Sequence, residues 1–236
     1  MRNYKRFEKM PHIKGKTVIQ DRFVHLLIVL LSLFVLYPFF QDTEATVPVV
    51  PLVFLISIIL ILRALRLHRK RFKVYIAIAF LVYLADIFFA FEKIIYLQEF
   101  FAIITALIYT GFLIIAIIAL TRKLFSVRKV STDTIVGGIC VYMLIGFLWA
   151  LFYYLIYSFD KGAFYMQAHG ANPNLFYFSF TTLTTTGFGD ICPLDKVAMV
   201  LASLEAIIGQ MYLAVLIARL VGLHVINQME RDIKRS

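Results

Sequence analysis

Apolar and polar residues alternate along this chain on the scale of whole helices. Apolar runs cover residues 23–40, 47–67, 74–91, 100–120 and 134–158, and a sixth covers 196–224. Each approaches or exceeds the roughly 20 residues whose rise of about 1.5 Å apiece carries a helix across hydrocarbon about 30 Å thick. Between the fifth and sixth runs lies "NPNLFYFSFTTL", residues 172–183. It is apolar but too short to span, the pattern of a re-entrant helix. The expected fold class is an all-α membrane protein of six transmembrane helices, with the re-entrant helix between helices five and six.

The cations test that count. Arg2, Lys5, Arg6, Lys9, Lys14, Lys16 and Arg22 precede the first run; Arg63, Arg66, Arg69, Lys70, Arg71 and Lys73 follow the second. Arg122, Lys123, Arg128 and Lys129 follow the fourth, and Arg219, Arg231, Lys234 and Arg235 close the chain. The remaining connections hold Lys93, Lys161 and Lys196, so 21 of 24 cations share one side. By the positive-inside rule that side is cytoplasmic and carries both termini, as an even number of crossings requires. The expected location is the plasma (inner) membrane. No A-x-A-like cleavage site follows the first run, so it is taken as a helix and not a signal peptide.

Composition agrees, with 61% hydrophobic and 16% charged residues, well outside the usual balance of a soluble domain. The net charge of +10 sits in collars flanking the apolar runs, where it faces anionic lipid head groups; no nucleic-acid partner is expected. Cys140 and Cys192 lie far apart and beside no histidine cluster, which leaves them packing roles and gives neither a disulfide framework nor a zinc site. No cofactor is expected. The organisation that follows is a basic arm over 1–22, a four-helix module over 23–121, a linker over 122–133, a domain over 134–225 and a short tail over 226–236. Ser131, Thr132 and Asp133 offer N-caps for the fifth helix, just after the interfacial linker "LFSVRKV". With so short a tail no cytosolic ligand-binding domain is expected, and no internal repeat stands out.

The stretch "FTTLTTTGFGDICP", residues 180–193, sets five threonines, two glycines and an aspartate among hydrocarbon. Irregular backbone at membrane depth survives only where protein or a water-filled cavity surrounds it. Gly187 and Gly189 alternate with Thr186 and Phe188, and glycine tolerates backbone angles that residues bearing a Cβ avoid. Successive carbonyls can then point the same way. Aimed at a common axis by several chains, the carbonyl oxygens of Thr185, Thr186, Gly187 and Phe188 would replace the water around a cation, with the Thr185 hydroxyl as one more ring of ligands. The short helix before them would end near that axis and aim its partial negative C-terminal dipole at a cavity favouring a cation.

"TLTTTGFGD" resembles the selectivity filter of the potassium channel family, whose common form is TVGYG. Thr185, Thr186, Gly187, Phe188 and Gly189 take the five filter positions, and Asp190 takes the acid that commonly follows. Tyr177 and Phe178 match an aromatic cuff that supports the filter together with Thr184 and Asp190. Pro193 and Gly209 fall where a post-filter proline and an inner-helix glycine occur. The resemblance covers about residues 134–225; the first four helices are similar to the family only in number. It implies a tetrameric pore, since one loop per chain cannot ring an ion, and a homotetramer passing K+ through backbone carbonyls. The chain is similar to prokaryotic six-transmembrane subunits with a single pore loop and no charged voltage-sensor helix. Phe188 lacks the tyrosine hydroxyl and Thr186 replaces valine, so a poorly selective monovalent cation channel is the alternative.

Gly187, Phe188, Gly189 and Asp190 also spell G-x-G-D, the signature of intramembrane aspartyl proteases. Such an enzyme needs a second buried carboxylate sharing a proton with the first, and Asp86 in "YLADIF" is the candidate. Against it, Asp190 lies outside the final helix, the downstream P-A-L is absent, and the threonine run has no catalytic use. No enzymatic activity is expected.

Arg63, Arg66 and Arg69 recur every third position like gating charges, yet they end the second run on the cytoplasmic side, where cations snorkel. The fourth run, "FAIITALIYTGFLIIAIIAL", has no charge before Arg122, so little voltage dependence is expected. Asp86 is expected to face the bundle or carry a proton, Glu205 to support the structure behind the filter, and His169 to be a solvated loop residue. Leu213, Ile217 and Val221 recur every fourth position along one face of the sixth helix, with Gly209 above them and Val225 below. That stripe is expected to line the cavity and close it by dewetting, the alternative being that it packs against the fifth helix; Gly209 is a candidate bending point and could equally be a packing glycine.

Overall fold

A computed structural model describes residues 21–40, 46–65, 69–90, 95–127, 131–167 and 173–233. Over those residues the chain forms seven helices and one small ribbon: α1 Asp21–Phe40, α2 Thr46–Leu65, α3 Arg69–Ala90, α4 Ile95–Ser126, α5 Thr132–Phe159, β1 Phe164–Met166, α6 Leu175–Leu183, β2 Ile191–Pro193 and α7 Lys196–Ile233. The fold is helical as expected, and the small ribbon is an addition to it. Its strands are three residues each, too short for an alternating pattern to announce them.

Among the described residues, three helical stretches are long and apolar enough to cross a membrane: Leu97–Ser126, Thr132–Phe159 and Lys196–Met229. The apolar stretches described in α1 and α2, Phe23–Tyr37 and Phe54–Arg63, are shorter, although each helix is 20 residues long. Four cations, Arg69, Lys70, Arg71 and Lys73, open the 22-residue α3 and dilute its hydropathy. The His169 and Arg66 expectations lie outside the described residues.

Helix α5 is the hub. It packs against α1, α4, α6 and α7, while α1 to α4 pack on one another in sequence. Of the α5 span 67% is buried, against 17% of the α7 span. Cys140, Leu144, Phe147 and Tyr153 of α5 are fully enclosed; Cys140 and Cys192 are free thiols. Ser131 starts α5 with a capping box, its side chain accepting from the Thr134 amide while the Thr134 side chain answers the Ser131 amide. Asp195 starts α7: one carboxylate oxygen accepts from the amides of Val197 at 2.7 Å and Ala198 at 3.1 Å.

Two contacts tie the four-helix module together and to the last helix. The Tyr109 hydroxyl of α4 donates to the Asp86 carboxylate of α3 at 2.6 Å, so this carboxyl faces the bundle and not lipid. Arg219 of α7 donates to the carbonyls of Leu124, Phe125 and Val127 at 3.0, 2.6 and 3.0 Å. Its guanidinium also lies over the Phe125 ring, 4.3 Å from the centroid. The carbonyls that end α4 have no partner further along the helix, so a cation there satisfies both their lone pairs and the helix dipole. Helical backbone continues five residues into the expected linker, to Ser126, and α7 passes unbroken from the expected domain into the tail as far as Ile233.

Candidate functional site

The nine residues of α6 reach about 14 Å, half of a hydrocarbon core. Asn174 caps the helix start, its side-chain oxygen accepting from the Tyr177 amide at 3.0 Å. Its other end holds the irregular loop. The amide of Thr184 donates to the Phe180 carbonyl at 3.1 Å and that of Thr185 to Thr182 at 2.9 Å; the amides of Thr186 and Gly187 both donate to Thr181, at 2.8 and 3.2 Å. The threonine hydroxyls serve the same end. Those of Thr181 and Thr182 donate to the Phe178 carbonyl at 2.9 and 2.8 Å, and that of Thr184 to Phe180 at 2.7 Å, with Thr186 Oγ1 2.9 Å from Thr184 Oγ1. A run of threonines can thus enter an apolar setting because the preceding helical turn accepts their protons.

Beyond that anchor the backbone alternates. Thr185, Gly187 and Gly189 have φ of +58°, +53° and +81°, with Thr186 and Phe188 between them outside the positive region. Left-handed residues at every second position turn the peptide planes so that amides gather on one side and carbonyl oxygens on the other. An ideal Cβ placed on Gly187 or Gly189 meets nothing within 4 Å, so the glycines are needed for φ and not for space. Thr185 is the residue that sequence reasoning missed as left-handed. A β-branched side chain there costs about 1–2 kcal/mol. Its hydroxyl donates to the Thr184 carbonyl at 2.7 Å and accepts from Gln210 Nε2 at 3.2 Å, contacts that offset the strain. Gln210 was also missed. Its signal is a lone amide in an otherwise apolar stretch of helix, where a polar side chain is costly without a partner.

The outer flank is pinned on both sides. Tyr177 stacks on Phe188, with centroids 6.2 Å apart and planes 3° apart, and the Asp190 carboxylate lies near its hydroxyl. That carboxylate also accepts the Ile191 amide at 3.1 Å, and the Asp190 carbonyl accepts the Gln167 amide at 3.0 Å. The antiparallel ribbon then pairs Phe164 with Pro193, Tyr165 with Cys192 and Met166 with Ile191. Phe178 faces inward, its ring centroid 4.9 Å from that of Tyr153 and 5.5 Å from that of Phe164. Asp86 and Asp190 each keep other partners, so the two carboxylates of the protease reading do not bond each other.

On the inner side, Gly209 is buried. A Cβ there would lie 2.3 Å from the Leu183 carbonyl oxygen, so α7 meets the end of α6 backbone to backbone. The helix is continuous through it, and the structure places Gly209 as a close-packing residue. Leu213 is half-buried, while Ile217, Val221 and Val225 are 58%, 57% and 40% exposed. Because Gln210 reaches Thr185, its side of α7 faces the loop; Ile217, seven residues on, shares that side. Thr184 to Gly189 are all exposed in the single chain. Among the described residues no group of three His, Cys, Asp or Glu could hold a metal ion.

Residues 133–224 match the family model described as ion channel, a stretch containing α6, the alternating loop and both flanking long helices. No curated protein and no solved structure matches the chain. The family match supports an ion channel, a membrane transport protein. Gly187→Ala tests the loop. With φ near +53°, alanine adds about 1–2 kcal/mol of local strain, and the protein is expected to reach the membrane in normal amount while losing ion flux in liposomes. Unchanged flux would remove the loop from the conducting path.

Proposed function

We propose that this chain is one subunit of a homotetrameric potassium channel, crossing the plasma (inner) membrane six times with both termini in the cytoplasm. The observation that carries the reading is the alternation of backbone handedness over Thr185–Gly189, hung from the C-terminal end of a half-membrane helix. Four such loops around one axis present stacked rings of carbonyls from Thr185, Thr186, Gly187 and Phe188, and the Thr185 hydroxyl adds an innermost ring. K+ is the transported ion. A backbone so exposed cannot stand alone at membrane depth, where unpaired peptide groups cost several kcal/mol each. Neighbouring copies would enclose it, and the sparse burial of α7 within one chain is consistent with partners on its open faces. The basic collars on the cytoplasmic side would rest against anionic lipid head groups.

Currents across a bilayer holding the purified protein test this reading. In opposing K+ and Na+ gradients the reversal potential is expected near the potassium equilibrium value. Reversal near zero would instead support the poorly selective cation channel. The same recordings report on voltage: each elementary charge moved through the field contributes about 2.3 kcal/mol per 100 mV, and α4 has no charge between Phe100 and Thr121. Conductance is therefore expected to change only weakly with voltage, and a steep activation curve would contradict that part of the proposal.

Leu213, Ile217, Val221 and Val225 form the proposed gate. The Gln210 contact turns the Ile217 side of α7 toward the axis, and four copies of the lower residues would make an apolar constriction from which water withdraws. Val221→Ser makes that constriction easier to wet. Single-channel recording is expected to show a higher open probability with the same K+ preference; an unchanged open probability would place the gate elsewhere.

A further inference from the structure

Behind the loop, α5, α6 and α7 meet at one carboxyl group. Glu205 of α7 is 0% exposed, and no cation pairs with it among the described residues. Its Oε2 lies 2.6 Å from the Tyr153 hydroxyl of α5, and its Oε1 lies 2.6 Å from Ser179 Oγ of α6. Ser179 Oγ in turn lies 2.7 Å from the carbonyl oxygen of Gly146 in α5. Ser179 is itself fully buried. These are three short contacts among hydroxyl, carboxyl and carbonyl oxygens, and each needs one proton between its two oxygens.

The protons can be counted. Tyr153 brings one and Ser179 brings one, because a hydroxyl donates only once; a peptide carbonyl brings none. The Gly146 contact must use the Ser179 proton, since neither atom has another. The Tyr153 proton serves Oε2. The remaining contact, between Oε1 and Ser179 Oγ, then has no proton unless the carboxyl carries one. With an ionised carboxylate, Ser179 would have to abandon either Glu205 or Gly146, leaving two buried oxygens in close repulsive contact. A buried carboxylate with no cation beside it would also be costly in its own right. The titratable groups facing Glu205 are the phenols of Tyr153 and Tyr142, both on α5; α6 contributes the Ser179 hydroxyl.

We propose that Glu205 is held as a neutral carboxylic acid and acts as the positioning residue of α6, donating to Ser179 while accepting from Tyr153. Glu205 thereby fastens the middle of α6 to both long helices at once. The carbonyls that hold the loop come from the next turn, at Phe180, Thr181 and Thr182, so a shift of Ser179 would be passed directly to the filter ligands. This step deepens the potassium reading and rests on it where selectivity is concerned, but the protonation of Glu205 stands independently of conduction.

The test uses the reconstituted full-length protein, its Glu205→Gln variant and its Glu205→Leu variant. A glutamine reproduces the donor pattern of the neutral acid, with its amide nitrogen on Ser179 and its oxygen on Tyr153. The infrared spectrum at neutral pH is expected to contain a carboxylic-acid carbonyl band that Glu205→Gln lacks. Glu205→Gln is expected to keep the wild-type melting temperature and K+/Na+ permeability ratio, whereas Glu205→Leu lowers the ratio about tenfold, the scale of one lost buried hydrogen bond. If Glu205→Leu fails to assemble, Glu205→Gln and the infrared band still decide the question. A spectrum unchanged by Glu205→Gln, or a glutamine variant that loses stability or selectivity while the wild type keeps both, overturns the proposal. A wild type without K+ preference that nonetheless shows the band would overturn the potassium reading and leave the neutral acid supported.

Discussion

Peptide oxygens at membrane depth must find partners, and among the described residues the carbonyls from Thr185 to Phe188 receive no hydrogen bond, while that of Gly189 accepts from the Cys192 thiol at 3.3 Å. Most of this structure can be understood as a response to that one constraint. The amides of the loop are returned to the end of α6, whose carbonyls at Phe180, Thr181 and Thr182 hold them. In the proposed pore the carbonyls lie on the opposite side, where a desolvated cation or water would satisfy them. In the proposed channel the short helix brings that anchor to the middle of the membrane, and the long helix on each side holds the short one there.

The supports are arranged by depth. At the outer end the Tyr177 stack, the Asp190 hydrogen bonds and the two-stranded ribbon fix the exit from the loop. At mid-depth the Glu205 carboxyl joins three helices. At the inner end Gly209 lets the α7 backbone touch the Leu183 carbonyl, and Gln210 meets the Thr185 hydroxyl. Further along α7, Arg219 binds the carbonyls that terminate α4, so the C-terminal part of the last helix is attached to the four-helix module. That module is packed on α5 through α1 and α4, with the Asp86–Tyr109 hydrogen bond inside it; a movement of α4 would reach α7 through Arg219.

The long helices and the special character of residues 180–193 were legible because they depend on run length and on glycine, two signals that survive in one dimension. Alternation at Gly187 and Gly189 could be anticipated for the same reason. Left-handed Thr185 could not, since threonine ordinarily avoids that region and is held there by Gln210, 25 residues away in sequence. At Gly209 bending and close packing were both open, since a helical glycine looks the same in sequence whether it flexes or receives a neighbour; the structure adds the Leu183 carbonyl beside it. The ribbon was invisible because three-residue strands carry no period, and the reach of α4 to Ser126 because an interfacial helix and an interfacial linker share a composition. Buried polar partners such as Tyr153 and Ser179 depend on which helix faces reach which depth, and that is a property of packing alone.

Rubidium offers the most direct view of the central claim, since it resembles potassium in size and charge and scatters anomalously. Diffraction from the assembled protein soaked in a rubidium salt should show a column of anomalous peaks on a fourfold axis, level with the carbonyl oxygens of Thr185, Thr186, Gly187 and Phe188. Crystals in which those carbonyls point away from the axis, or in which the axis beside them holds no rubidium while ions bind elsewhere along a pore, would contradict the account.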